Sequence, residues 1–512
     1  MEKILKGKKF FTFEKWLACF TGILLVMLAV FSCNNVLVKD GGSLIIAMPG
    51  ARAATASSYT IELTGSNGTT QSKTVAGGAS VQFDNLLVGS YTVIVDGKDE
   101  NDKIVTGGSS KATVVAGKTA SVMVELIEGV GDFTGLKDAV ATGGMVKVLK
   151  SIDIEECLQI SNTVTILPAY QDVTLRNITS SHLINVSTGG ALTVGGGEYT
   201  ITLDGNDNSS FVISTGAGCS VHLNENSIIT KGSRGVHLGG GTSESSLSLA
   251  GGVITGNKNN GVYLGTKSQF DMSSGSITGS FTGVSVSAES QFSMTGGSIT
   301  GNSSNSVAIN DGGVFTMEDG SITGNSSTGV YMSVDGEFIM RGGSISDNGT
   351  QGVFVSGEFT MTGGSITGNS FEGVTIYDGG AFTMEDGSIS DNGSDGVDVR
   401  GAFTMTGGSI SGNTTGGVNI YTDATFTMGG SAIVDPDNDV SLVQNTSITV
   451  SGELTGDAPV ATITPKEYTE GTQVLTAGDG VTLADKIGKF AVTPNNGTEW
   501  TINESGALQK VQ

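Results

Sequence analysis

Three histidines are all that this chain offers for imidazole chemistry: His182, His222 and His237. In Val221-His222-Leu223 and Val236-His237-Leu238 the imidazole alternates with apolar neighbours, so each ring should point away from the core those neighbours seek. A solvated surface histidine is expected at each position, without a base or ligand role. Cys157 and Cys219 are far apart and no Cys-x-x-Cys occurs, so neither a disulfide framework nor a zinc site is indicated, and apolar packing is expected for both thiols. A third group is aromatic. Tyr331, Phe354 and Tyr377 should face outward as a ligand-contact ladder, whose ring faces suit the apolar side of a sugar. The competing reading is that these rings are good strand formers that cover one another.

The elements that must position these residues follow from a repeat. Phe-x-Met recurs at Phe270/Met272, Phe292/Met294, Phe315/Met317, Phe338/Met340, Phe359/Met361, Phe382/Met384, Phe403/Met405 and Phe426/Met428, every 21 to 23 residues. Each unit adds Gly-Ser-Ile-Thr/Ser, an Asn, and Gly-Val-x-Val/Ile, as at Gly373 to Ile376. Three short alternating patches separated by turn residues read as three strands per unit. A fixed period of this size is the mark of a solenoid, stable only as a stack. The expected fold is all-β: a right-handed parallel β-helix of about 13 coils over 128–435, at a strand spacing of about 4.8 Å. A short helix from Asp132 to Thr142 should cap the first coil. After Asp435-Pro436-Asp437, residues 436–512 should form irregular last coils and a β cap. The 79 glycines serve the turns.

The Asn at Asn257, Asn302, Asn325, Asn348, Asn369, Asn392 and Asn413 falls once per coil, with Ser280 replacing one member. A structural amide ladder is expected, tying down turn backbone that no strand reaches. The acidic doublets Glu318-Asp319 and Glu385-Asp386 are 67 residues apart, which is three coils or about 14 Å, too far to share one ion. No cofactor and no metal site are expected; weak surface binding of calcium by turn carboxylates is the one alternative.

Upstream, Lys3, Lys6, Lys8, Lys9 and Lys15 precede an apolar run from Trp16 to Phe31, the order of a secretory signal. Its end, Leu28-Ala29-Val30-Phe31-Ser32-Cys33, resembles a bacterial lipobox, with Phe31 a looser fit. The resemblance implies a signal peptide over 1–33, cleavage before Cys33, and lipid attached there. The chain would then belong to the bacterial envelope, anchored at the outer membrane or cell surface. An uncleaved anchor and cleavage after Ala53 are the alternatives. Removing residues 1–33 takes away five Lys and two Glu, leaving 21 basic and 48 acidic side chains and a formal charge of −27. Such a surface repels phosphate backbones, so nucleic acid is not an expected partner.

Beyond a linker over 34–41, residues 42–127 carry strand-like runs between Gly, Asn and Asp turns. Phe83-Asp84-Asn85-Leu86-Leu87-Val88-Gly89-Ser90-Tyr91-Thr92-Val93 resembles the core of carboxypeptidase-regulatory-like, prealbumin-like β-sandwiches, which implies a non-catalytic stalk or adhesion module. The solenoid resembles the pectin-lyase-like superfamily, many of whose members cleave acidic polysaccharides. It is also similar to β-helix repeat proteins of bacterial surfaces, including spirochaete lipoproteins. Its Gly-Gly-Ser-Ile units resemble the repeats of chlamydial polymorphic membrane proteins, but the matching Phe-x-x-Asn is absent. The hydrolase signatures Asn-Thr-Asp, Asp-Asp and Gly-His-Gly are also absent, and Arg341 and Arg400, the arginines of the regular coils, lie in different turns. No catalytic residue is therefore assigned. The expectation is an adhesin-like surface lipoprotein that contacts glycans or host and envelope proteins, with a polysaccharide lyase or hydrolase as the alternative.

Overall fold

A computed structural model describes residues 41–511 apart from 49–55, 77–79 and 208–209. The signal segment with Cys33, and most of the 34–41 linker, lie outside the described residues. No described helix is long and apolar enough to cross a membrane. The chain divides into two compact units, one ending at Leu126 and the other running from Ile127 onward, with residues 98–107 grouped with the second. Those ten residues were read as part of the first module. They join the second because Thr106 and Gly107 pair antiparallel with Glu128 and Ile127.

In the first unit, Gly42–Ala47 pairs antiparallel with Val81–Leu86 and parallel with Thr119–Met123. A second sheet pairs Ser58–Gly65 with Thr70–Ala76 on one side and Gly89–Lys98 on the other. Alternation does the sorting: Leu44, Ile46, Ile61, Leu63, Phe83, Val93 and Val95 meet in one core between the sheets. Tyr91 is buried, and its hydroxyl donates to the Leu87 carbonyl at 3.0 Å. Thr70–Ala76 carries no periodic signal of a strand. It is exposed almost throughout, so it lacks the apolar alternation that would reveal it.

The second unit is a parallel β-solenoid of about 14 turns. Its register puts like on like: Phe270 on Phe292, Phe292 on Phe315, and so on to Phe426. The Phe rings stack with centroids 4.5 to 5.0 Å apart and planes within 9°. The Met and Ile columns beside them are equally buried, so each coil removes apolar surface of two neighbours from water. Phe-x-Met and Ser-Ile-Thr, read as separate strands, form one bent strand in several coils, as in Gln291–Thr300. Two long sheets result, of 22 and 15 strands. The bend sits at a glycine. Gly297 has φ +83, and a Cβ there would stand 2.9 Å from the Gly275 carbonyl oxygen of the preceding coil, so a side chain would strain the closure of consecutive coils at that corner.

At another corner the amides stack. Asn302 Nδ2 donates to Asn325 Oδ1 at 3.0 Å, and the run continues through Asn348, Asn369, Asn392 and Asn413 to Asn438 at 2.9 to 3.0 Å. Each Oδ1 also accepts the backbone N–H of the preceding Asn. Asn257 stands apart and accepts from Gly232 N, because Ser280 interrupts the column. Asn438, an additional member, lies just beyond the Asp435-Pro436-Asp437 break.

Both ends of the stack are closed. The helix Phe133–Thr142 begins at Asp132, whose side chain accepts from Gly135 N at 2.7 Å, and it buries Leu136 and Val140. At the far end Phe490, Val492, Trp500, Ile502 and Leu508 join the same core, with Trp500–Ile502 and Leu508–Lys510 as a terminal hairpin.

Candidate functional site

The Gly-Val-x-Val strands form the fifteen-stranded sheet, and inward Val residues force the x residue outward. Successive coils set His237 beside Tyr263, then Ser285, Ala308, Tyr331, Phe354, Thr375, Asp398 and Asn419 in a single outward column. Tyr331 and Phe354 are adjacent in this column, stacked with centroids 5.3 Å apart and planes 12° apart. Tyr377 lies two residues beyond Thr375, tilted 30° to Phe354 at 5.9 Å, and is 47% exposed. Stacking turns the inner faces of Tyr331 and Phe354 toward each other, so the ladder presents ring edges and its outermost faces.

Next along the sheet the face turns acidic. Thr375 is in register with Asp398, and Asp395 begins the same strand as Asp398. Burial, then the neighbouring charges of Asp398 and Glu372, push the Asp395 carboxyl up to about 6. Burial also raises Asp398, although the Arg400 guanidinium opposes it. Asp398 is 6% exposed; its Oδ2 lies 3.4 Å from an Arg400 amine, while its Oδ1 and the buried Thr375 hydroxyl have no hydrogen-bond partner among the described residues. Arg400 lies 4.6 Å over the Tyr421 ring. A shallow depression of about 470 Å³ opens beside it, lined by Asp378, Arg400, Thr422 and Asp423 with intervening glycines. Chemically, this cluster supplies hydrogen-bond acceptors for hydroxyls and a carboxyl whose proton affinity is raised above the ordinary carboxylate range.

Toward the other end, two of the three histidines depart from the solvated reading. His182 stacks on Phe211 at 4.8 Å, Phe211 meets His237 at 4.4 Å, and His237 meets Tyr263 at 5.1 Å. Arg234 lies over Tyr263 at 4.0 Å and over Phe211 at 5.2 Å. Burial first, then the charges of Arg234 and His182, push His237 down to about 4; burial also lowers His182. Alternation placed His237 outward between buried Val236 and Leu238, but outward is not solvated where the neighbouring coils supply rings. Lining up the coils would have revealed Phe211, Arg234 and Tyr263. His222 is exposed, on the other sheet.

The remaining candidates stay apart. Glu318 pairs with Arg341 at 2.5 Å, and the Glu385-Asp386 doublet follows three coils later. Cys219 is buried, and burial pushes the Cys157 thiol up to about 11; both are unpaired. Among the described residues, no three His, Cys, Asp or Glu side chains are grouped to hold a metal ion.

No curated protein and no solved structure matches the chain. A family model described as "right handed beta helix region" matches residues 242–386, the most regular coils, and that family contains both enzymes and proteins without catalytic activity. What the match and the register establish together is a β-helix solenoid.

Proposed function

We propose that this is a non-catalytic, lipid-anchored solenoid of a bacterial surface that binds glycans or envelope partners through the outer face of its fifteen-stranded sheet. One observation carries the reading. The aromatic residues that point outward from the coil strands, Phe211, Tyr263, Tyr331 and Phe354, lie on this sheet, with Tyr377 and Tyr421 at its border. The corresponding outward positions of the longer sheet carry mainly Ser and Thr, as at Ser293, Thr316, Thr360 and Thr383. The concentration of half-buried rings on one face supports a contact surface over general strand composition. The charged and then apolar leader ending at Cys33 supports the anchor and the envelope location.

Binding of the full chain to an array of glycans and envelope proteins tests this. The double substitution Tyr331→Ala, Phe354→Ala should weaken any hit by at least about ten-fold while β content is unchanged. Undiminished binding by the double variant removes the ladder as the site. A second reading, cleavage of a polysaccharide, is favoured by the Asp395 carboxyl, which burial and the neighbouring Asp398 push up to about 6, the direction a general acid needs. New reducing ends or unsaturated sugars from a bound glycan, lost in Asp395→Asn, would establish it over the non-catalytic reading.

A further inference from the structure

Four described arginines can be compared. Arg176 makes two hydrogen bonds to Asp153, Arg341 pairs with Glu318, and Arg400 pairs with Asp398. Arg234 has no carboxylate among the described residues; its guanidinium is held by Phe211 and Tyr263, and one terminal nitrogen meets His237 Nδ1 at 2.9 Å. The charged or titratable groups that act on Arg234 and His237 are each other, His182 and Tyr263, with no acidic side chain in that company. This is the reverse of the chain as a whole, in which 50 acidic residues face 26 basic ones.

A half-buried guanidinium without a counter-charge has lost hydration that the rings repay only in part. Its Nε and second terminal nitrogen form a two-donor edge with no protein acceptor among the described residues, and the rings of two neighbouring coils fix the plane of that edge. A planar carboxylate matches such a fork in bidentate fashion. Around it stand Phe211, Tyr263, His182 and His237, apolar faces and neutral imidazoles suited to the body of a ring-bearing ligand. The net charge of −24 opposes the approach of a polyanion to the molecule as a whole.

We infer that Arg234, with His182, Phe211, His237 and Tyr263, forms a subsite for a single carboxylate carried on an otherwise uncharged glycan, that is, for one terminal acidic sugar. The sugar body rests on the glycan-binding function proposed above; the carboxylate subsite does not.

Ligand-observed saturation-transfer NMR on the full chain tests this with glucuronate, its methyl ester, glucose, and an acetylated peptide of neutral residues with a free C-terminal carboxylate. Glucuronate should bind at least about ten-fold tighter than glucose or the ester, the range of a charge-assisted pair. Arg234→Gln should abolish that preference, and Arg234→Lys, which keeps the charge but not the fork, should restore little of it. Circular dichroism checks that each variant is folded. Equal binding of glucuronate and glucose overturns the carboxylate subsite, as does undiminished glucuronate binding by folded Arg234→Gln. Preference for the peptide over glucuronate overturns the sugar assignment. Persistence of glucuronate binding in the Tyr331→Ala, Phe354→Ala variant is expected, and separates this subsite from the aromatic ladder.

Discussion

Burial and two neighbouring carboxylates oppose the charge of Asp395, which raises it from 3.8 to about 6. A carboxyl raised in the folded state stabilises below its unfolded pKa and loses that contribution as pH climbs through the folded value. Asp395→Asn should therefore stabilise the solenoid at pH 7 by roughly 1–2 kcal/mol, allowing for partial screening, and the gain should vanish below about pH 4. Urea denaturation at pH 3.5, 5 and 7 measures it; a gain independent of pH would mean that charge is not the cause. His237 runs the other way. Lowered from 6.5 to about 4, it favours the folded state fully above pH 6.5 and loses that contribution as pH falls through about 4. Neither effect was legible along the chain, because both arise between coils. Glu372 reaches Asp395, and Phe211 and Tyr263 reach His237, across one coil spacing. The Tyr331 and Phe354 contact was legible because both residues occupy the same slot of an unbroken repeat.

At the scale of elements, periodicity identified the strands wherever one side of them is buried. Ile345 is fully buried between Ile322 and Ile366, while Ser344 beside it faces out and is half-buried. Ile345→Asp should cost about 3–5 kcal/mol, since the carboxyl must be neutralised or the coil opened; Ser344→Asp should stay within about 0.5 kcal/mol. Thermal unfolding of the two variants side by side is the measurement, and equal losses would invert the register. The cap helix was legible from Asp132 and the spacing of Leu136 and Val140, which reports one buried helical face. Two elements were not. Thr70–Ala76 has no buried side to pattern, and Asn438 follows a proline turn that breaks the repeat by which its relatives were found.

At the scale of the whole molecule, the stack reads directly from its period, whereas the attachment of the chain rests on residues 1–33. If Cys33 carries lipid, metabolic fatty-acid label should enter the protein and Cys33→Ala should reduce incorporation to background; full labelling of that variant would refute the anchor. The corner column of asparagines has a further consequence. From Asn302 to Asn413 every amide donates one N–H to the Oδ1 of the next higher-numbered coil, and the column ends at Asn438, whose Nδ2 donates back to the Asn413 carbonyl. The dipoles of successive side chains therefore add instead of cancelling, and each hydrogen bond polarises the next. One corner of the solenoid becomes a polar wire, with its oxygen end toward the N-terminal coils and its hydrogen end toward the C-terminal coils. The two faces of any coil are thus not equivalent partners: a growing stack offers one kind of contact upstream and its complement downstream, so a coil inserted upside down would set oxygen against oxygen.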